Sequence, residues 1–249
     1  MLLKINNLEK NYINKKEVIC ALKDINLSVY KNEFITIIGP SGCGKSTILS
    51  IIGGLEEKSS GNVIFKNKVK VGYMFQEDAL LPWLTVFENC ILGLKIQKQN
   101  NRDNISYVNK LLKKYGLYEF KNSYPKELSG GMRQRCALIR TLALKPDILL
   151  LDEPFSALDY QTRIKVSDDV YKIIKDENKT AIMVTHDIGE AISMADKVIV
   201  LSKRPAVIKN EYEIILDKKR IPSLNKKDIN FNKYYDLIWK DLDYNEWRT

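Results

Sequence analysis

Apolar residues recur along the chain in two rhythms, and the alternation between them predicts an α/β fold. Phe34-Ile35-Thr36-Ile37-Ile38, Ile148-Leu149-Leu150-Leu151 and Ala181-Ile182-Met183-Val184 are apolar at almost every position. Runs that short and continuous suit strands of a parallel sheet buried on both faces. Lys197-Val198-Ile199-Val200-Leu201 reads the same way, with shorter strand-like pieces around Val207 and Ile214. Leu2–Leu8, Ile25–Tyr30, Gly61–Phe65 and Val69–Phe75 alternate in part, as strands with one wetter face do. A polar loop is expected between the first two, over Asn11–Lys16.

The second rhythm is helical and dominates from Glu77 to Lys145. Ile105, Val108, Leu111, Leu112 and Tyr115 fall on one face, as do Val166, Val170 and Ile173 further on. Phe231, Tyr235, Ile238 and Leu242 form a last stripe, suited to core packing or to a partner. The expected organisation is one domain over 1–249 with an α/β core. A helical insert occupies about 77–145, and an amphipathic helix about 228–243 closes the chain.

Composition narrows this modestly. No run approaches the ~18 consecutive apolar residues of a membrane span. Met1-Leu2-Leu3-Lys4-Ile5 lacks the pattern of a signal peptide, so a cytosolic chain with at most peripheral membrane contact is expected. Cysteines 20, 43, 90 and 136 form no C-x-x-C pair, which suits free thiols and no zinc site. The net charge of +9 comes from scattered lysines, with small clusters at Lys218-Lys219-Arg220 and Lys226-Lys227. It suits a solvated surface or weak attraction to an anionic membrane. No RNA-type aromatic motif or zinc finger accompanies it, so no nucleic-acid partner is expected.

Candidate chemistry starts where Phe34–Ile38 ends. Gly39-Pro40-Ser41-Gly42-Cys43-Gly44-Lys45-Ser46 fits G-x-x-x-x-G-K-[ST], and Thr47 leads into the apolar run Ile48–Ile52. Strand, glycine loop and helix aim backbone N–H groups and the positive end of a helix dipole at one point. Glycine lets the loop close on a phosphate, Lys45 can reach the β- and γ-phosphates, and the Ser46 hydroxyl can ligate Mg²⁺. Tyr12, in the expected loop, could stack on an adenine face. Cys43 has a helix N-terminus and Lys45 beside it, which favours a reactive thiolate; a small residue chosen only for fit is the alternative.

Two carboxylates, Asp152 and Glu153, follow Ile148–Leu151, where ligands sit in open α/β sheets. Asp152 can serve Mg²⁺, and Glu153 can orient or deprotonate an attacking water. His186, the single histidine, ends the strand at Ala181–Thr185 and suits a γ-phosphate contact. Leu128-Ser129-Gly130-Gly131-Met132-Arg133-Gln134 opens a helix and makes a second anion-seeking terminus.

Together, Gly39–Thr47, Gln76, Leu128–Gln134, Ile148–Glu153, Ser156-Ala157-Leu158-Asp159 and His186 resemble the ordered motif set of an ABC-type ATPase domain. They look like its Walker A, Q-loop, signature, Walker B, D-loop and switch histidine. The resemblance covers essentially the whole chain. It implies that ATP lies between two copies, the phosphate loop of one facing Ser129, Gly130 and Gly131 of the other. It further implies Tyr12 on adenine, Ser46, Gln76 and Asp152 on Mg²⁺, and Glu153, His186 and Gln76 in catalysis. Asp159 would link the two sites.

A DNA-repair or chromosome-structuring ATPase is the alternative, but those carry a long coiled coil where only 84 positions separate Lys45 from Ser129. Without membrane helices the chain is expected at the cytoplasmic face of the membrane, docked on permease subunits and served indirectly by an extracytoplasmic binding protein. Phe75–Asn89 and Val200–Pro205 are similar to ATPases importing nitrate, sulfonates and taurine, and to those importing thiamine-pyrimidine precursors. Trp83, just past Gln76, is expected to be exposed and to help form the permease-docking groove.

Overall fold

The computed structural model describes residues 1–14, 17–216 and 221–242. Two sheets share the strands. β1 (Leu3–Asn14), β2 (Glu17–Val29) and β4 (Ser60–Phe65) form an antiparallel sheet in the order β2-β1-β4. β3 (Phe34–Ile38), β5 (Val71–Met74), β6 (Ile148–Asp152), β7 (Thr180–Thr185), β8 (Lys197–Leu201) and β9 (Ile208–Glu213) form the other. Its order is β5-β6-β7-β3-β8-β9; the first five run parallel and β9 is antiparallel to β8. Every residue of β3 and β7 is buried, which is why both are apolar apart from Thr36, Thr180 and Thr185.

This strand order positions the chemistry. Because the five strands are parallel, their carboxyl ends open on one edge of the sheet. The segment after β3, Asp152 at the end of β6 with Glu153 behind it, and His186 after β7 therefore come together from positions far apart in the chain.

Helix α1 (Lys45–Ile52) follows β3 directly. α2 (Val86–Ile96), α3 (Arg102–Lys114) and α4 (Gly130–Leu142) fill the stretch between β5 and β6. Thr85 caps α2 in a reciprocal box with Glu88, Asn101 caps α3 and Ser129 caps α4, each satisfying N–H groups that the helix itself cannot. The stripe Val108, Leu111, Leu112 and Tyr115 is buried with β6 and α4 in one core. α5 (Tyr160–Asp176) buries Val166, Val170 and Ile173 in that core too.

α6 (Ile188–Met194), α7 (Pro222–Asn225) and α8 (Ile229–Asp241) finish the chain. Phe231, Ile238 and Leu242 are buried against Ile38, Ile192 and Val200, so the last stripe serves packing. Tyr235 stacks between Phe231 and Trp239 at 6.4 and 6.0 Å. Lys218–Arg220 and residue 243 lie outside the described residues. Among the described residues no helix is long and apolar enough to cross a membrane.

One local expectation needs correcting. Asn11–Asn14 is strand, not loop: Tyr12 pairs with Ile19 and Ile13 with Val18 across a hairpin. Residues 15 and 16 lie outside the described residues. The hairpin projects into solvent, with Ile13 84% exposed, so polar residues are tolerated on both of its faces.

Candidate nucleotide-binding site

The loop between β3 and α1 is wound as a phosphate cradle must be. Gly42 (φ +71°) and Gly44 (φ +126°) occupy conformations that a side chain strains, and a Cβ on Gly44 would lie 2.7 Å from the Leu22 side chain. Lys45 is buried, and its ammonium donates to the Gly39 and Pro40 carbonyls at 2.9 and 3.1 Å. The cation is thus held across the mouth of the loop.

Two carboxylates stand opposite. Asp152 Oδ1 accepts a hydrogen bond from the Ser46 hydroxyl at 2.8 Å, and its Oδ2 accepts one from the Tyr73 hydroxyl at 2.9 Å. Glu153 Oε2 lies 3.0 Å from His186 Nδ1. Glu153 is also in the left-handed region (φ 42°), a conformation costing on the order of 1–3 kcal/mol in a residue with a Cβ. Its N–H bonds to the Val184 carbonyl, and its own carbonyl accepts from the Ser156 N–H and hydroxyl. Those bonds hold the strained turn and point the carboxylate at the histidine.

A cavity of about 510 Å³ is lined by Gly39, Ser41, Lys45, Glu153, His186 and Leu242. A smaller one, about 190 Å³, is lined by Tyr12, Ser41, Lys45, Thr47, Glu153 and Arg204. The two share Ser41, Lys45 and Glu153, so they flank a single loop. Tyr12 is 38% exposed, its hydroxyl is 3.4 Å from Thr47 Oγ1, and the Lys10 ammonium sits 4.8 Å from its ring centroid.

The remaining residues lie elsewhere. Gln76 turns its amide to the Ser156 hydroxyl at 3.4 Å and lines a separate cleft with Asp78, Gly130, Arg133 and Gln134. Ser46 and Asp152 meet directly; Gln76 joins neither of the cavities at Lys45. Ser129 is exposed at the start of α4, its hydroxyl accepting from the Met132 N–H at 3.3 Å. Gly131 is buried, because a Cβ there would lie 2.7 Å from Val166 on α5. Exposed Asp159 caps α5 by accepting from the Thr162 N–H at 3.0 Å, and hydrogen bonds from Thr162 hold its carboxyl below the usual range.

Comparison with known proteins identifies the family. The sequence pattern of the ABC transporter family matches residues 22–156. The chain belongs to the ABC transporter family. It is 42% identical to the uncharacterised ABC transporter ATP-binding protein YtlC of Bacillus subtilis, over 97% of this chain and 95% of that protein. It is 37% identical to the nitrate import ATP-binding protein NrtD of Synechocystis, over 96% of this chain and 94% of that one. A solved dimeric ATP-binding cassette, bound to ADP and Pi after hydrolysis, superposes with a TM-score of 0.72 at 35% identity, covering 86% of this chain and 99% of that one. The protein is an ABC-type ATPase, the ATP-binding subunit of a transporter.

In this ABC ATPase the expected reactivity of Cys43 is overturned. Its side chain is 2% exposed and packs into the core behind the loop, where a Cβ on Gly39 would come within 2.9 Å of its sulfur. Burial pushes the thiol up, and this outweighs the opposing pull of Lys45 and the loop N–H groups. The sequence reading also passed over Tyr73 and Arg204. The Arg204 guanidinium donates to the Gly42 carbonyl, bracing the loop from outside. Arg204 follows β8, the neighbour of β3, and strand adjacency was the signal that linear order hid.

Proposed function

We propose that this chain is the ATP-hydrolysing subunit that powers import of a small solute through a separate membrane permease. The observation carrying this reading is the convergence of Lys45, the Ser46–Asp152 pair and the Glu153–His186 pair on one loop. Nitrate and aliphatic sulfonates fit the names of the import relatives, and the similarity at Phe75–Asn89 extends the candidates to taurine and a thiamine-pyrimidine precursor.

Lys45 and the N–H groups of residues 39–47 hold the phosphates, and Tyr12 offers its ring to adenine. The hydroxyl and carboxylate oxygens of Ser46 and Asp152 are hard donors of the kind Mg²⁺ takes, so they fit the ion, and Gln76 would supply a further amide oxygen. Bound there, Mg²⁺ would neutralise charge on the phosphate oxygens. Glu153 orients the attacking water and accepts its proton, and His186, steadied by Glu153, meets the γ-phosphate. Ser129, Gly130 and Gly131 complete the site of a second copy, with Asp159 between the two. The subunit works at the cytoplasmic face of the membrane, where Trp83 (68% exposed) anchors in the permease. An extracytoplasmic binding protein delivers the solute to that permease.

The test is cellular. Deleting the gene should abolish uptake of one labelled solute among nitrate, taurine, an alkanesulfonate and a thiamine pyrimidine. The tagged chain, purified from detergent-solubilised membranes, should bring a multispan permease with it. Normal uptake of all four, with the chain recovered alone, would sink the importer reading.

A further inference from the structure

Asp152 receives two hydroxyl groups, and only Ser46 has been given a purpose. The other, Tyr73, comes from β5, the edge strand of the parallel set, where it lies beside Leu150. Its ring is wedged in place. Gly53, at the end of α1, leaves room for it: a Cβ there would approach the Tyr73 ring to 2.9 Å. The Phe75 ring lies 4.7 Å away, centroid to centroid. The hydroxyl is thereby aimed at Asp152 Oδ2 at 2.9 Å while Oδ1 takes the Ser46 hydroxyl at 2.8 Å.

A carboxylate anchored through one oxygen presents the other in a fixed direction. Groups that orient a metal ligand in this way affect ion affinity without touching the ion. The phenyl ring alone would fill the same space, and only the hydroxyl reaches Asp152.

We propose that Tyr73 is a positioning residue for the cation subsite, its hydrogen bond to Asp152 Oδ2 holding Oδ1 against Ser46 for Mg²⁺. The inference rests on the reading of Ser46 and Asp152 as the Mg²⁺ pair. It also ties the strand leading to Gln76 to that carboxylate, so one segment carries both an orienting hydroxyl and a further oxygen donor.

The test is Tyr73→Phe in the full chain carrying Glu153→Gln, which prevents turnover during the titration. Binding of a fluorescent ATP analogue is followed while MgCl₂ is added, and again in EDTA; thermal unfolding is recorded alongside. The Mg²⁺ concentration at half-saturation should rise about tenfold, at the low end of what losing an orienting partner does to metal affinity. Nucleotide affinity in EDTA and the melting temperature should hold, and Tyr73→Leu should give the same Mg²⁺ shift. A half-saturation within about twofold of the parent, or an equal loss of affinity in EDTA, overturns the proposal. Asp152→Asn separates the two levels: if it leaves the Mg²⁺ dependence intact, the metal pair itself has been misassigned.

Discussion

Two helices of this protein begin with glycine and serine and point free N–H groups outward, yet their surroundings differ. At the α1 end, Lys45 is 5% exposed and tied to its loop, while Tyr12, Glu153, His186 and Arg204 close in from four other segments. At the α4 end, Ser129 is exposed, its hydroxyl already caps its own helix, and the space at Gly131 is filled by Val166. Both ends carry the positive pole of a helix dipole, worth only about 0.3–1 kcal/mol at an exposed terminus. The difference is that strand order brings Glu153, His186 and Arg204 to the α1 end, whereas at the α4 end Arg133 is already paired with Asp78 at 2.9 Å. A helix terminus becomes a phosphate site when other elements supply cations, and the α4 end has to find its counterpart outside the chain.

The contrast should be largest in turnover. Glu153→Gln leaves the α1 end its cation and its cradle and removes the one carboxylate that can take a proton from water. Hydrolysis is expected to fall by about 10²–10⁴-fold while ATP binding is retained. Steady-state phosphate release and binding of a fluorescent ATP analogue measure the two separately. Hydrolysis at the parent rate would take Glu153 out of its role, and its strained turn would need another explanation.

A second substitution sharpens the contrast from the other side. Ser129→Arg puts bulk and charge on the exposed α4 end without touching the α1 loop. In the Glu153→Gln background, ATP-dependent dimerisation followed by size-exclusion chromatography should weaken at least about tenfold, roughly 1.4 kcal/mol. ATP binding by the single chain should change less than about twofold. Loss of binding as severe as that of Lys45→Ala would mean that the α4 end already serves the site of its own chain.

The two ends also differed in how much of them could be read from sequence. β3, β6 and β7 were legible because a strand covered on both faces is apolar at almost every position, with only threonines such as Thr36 and Thr185 as its buried polar residues. The phosphate loop was legible because backbone geometry dictates its glycines. Tyr12 was misplaced in a loop because its hairpin is solvated on both sides and carries no apolar rhythm there. Tyr73 and Arg204 were invisible as parts of the site. Their importance depends on β5 lying beside β6 and β8 beside β3, which linear order does not disclose. The direction of the Cys43 side chain was equally hidden, since a loop sequence does not say which side faces the core.

Cys43 yields a smaller effect that tests how closed the α1 end is. Maleimide should modify it far more slowly than the partly exposed Cys20, with or without Mg-ATP. Its pKa is raised on folding, so the folded chain keeps a proton that the unfolded chain releases above about pH 8.5. The unfolded state then binds fewer protons, and this contribution to stability is lost as pH rises through that range. Urea unfolding between pH 8 and 10 should accordingly show a shallower loss in Cys43→Ala than in the parent, by at most about 1.4 kcal/mol per pH unit. Rapid labelling that Mg-ATP suppresses would instead place the sulfur on the phosphate side of the loop.

The smallest effect on the free chain should come from Trp83, although its consequence for assembly is large. The tryptophan lies between Gln76 and α2, on the segment running from the α1 half of the molecule toward the α4 half. It is 68% exposed, and Asn89 ties the backbone around it by bonding Leu81 and Leu84. The segment is therefore held in shape without the indole, and Trp83→Ala should shift stability by no more than about 0.5 kcal/mol. Free-subunit hydrolysis should stay at the parent rate. Assembly with the permease should be lost, because an exposed aromatic on a fixed loop is the kind of anchor that dominates an interface. Co-purification from solubilised membranes and phosphate release by the free subunit, measured on the same variant, decide the matter. A subunit that melts early or hydrolyses slowly would show that the indole supports the fold, and the coupling surface would then have to be sought on another face of the helical insert.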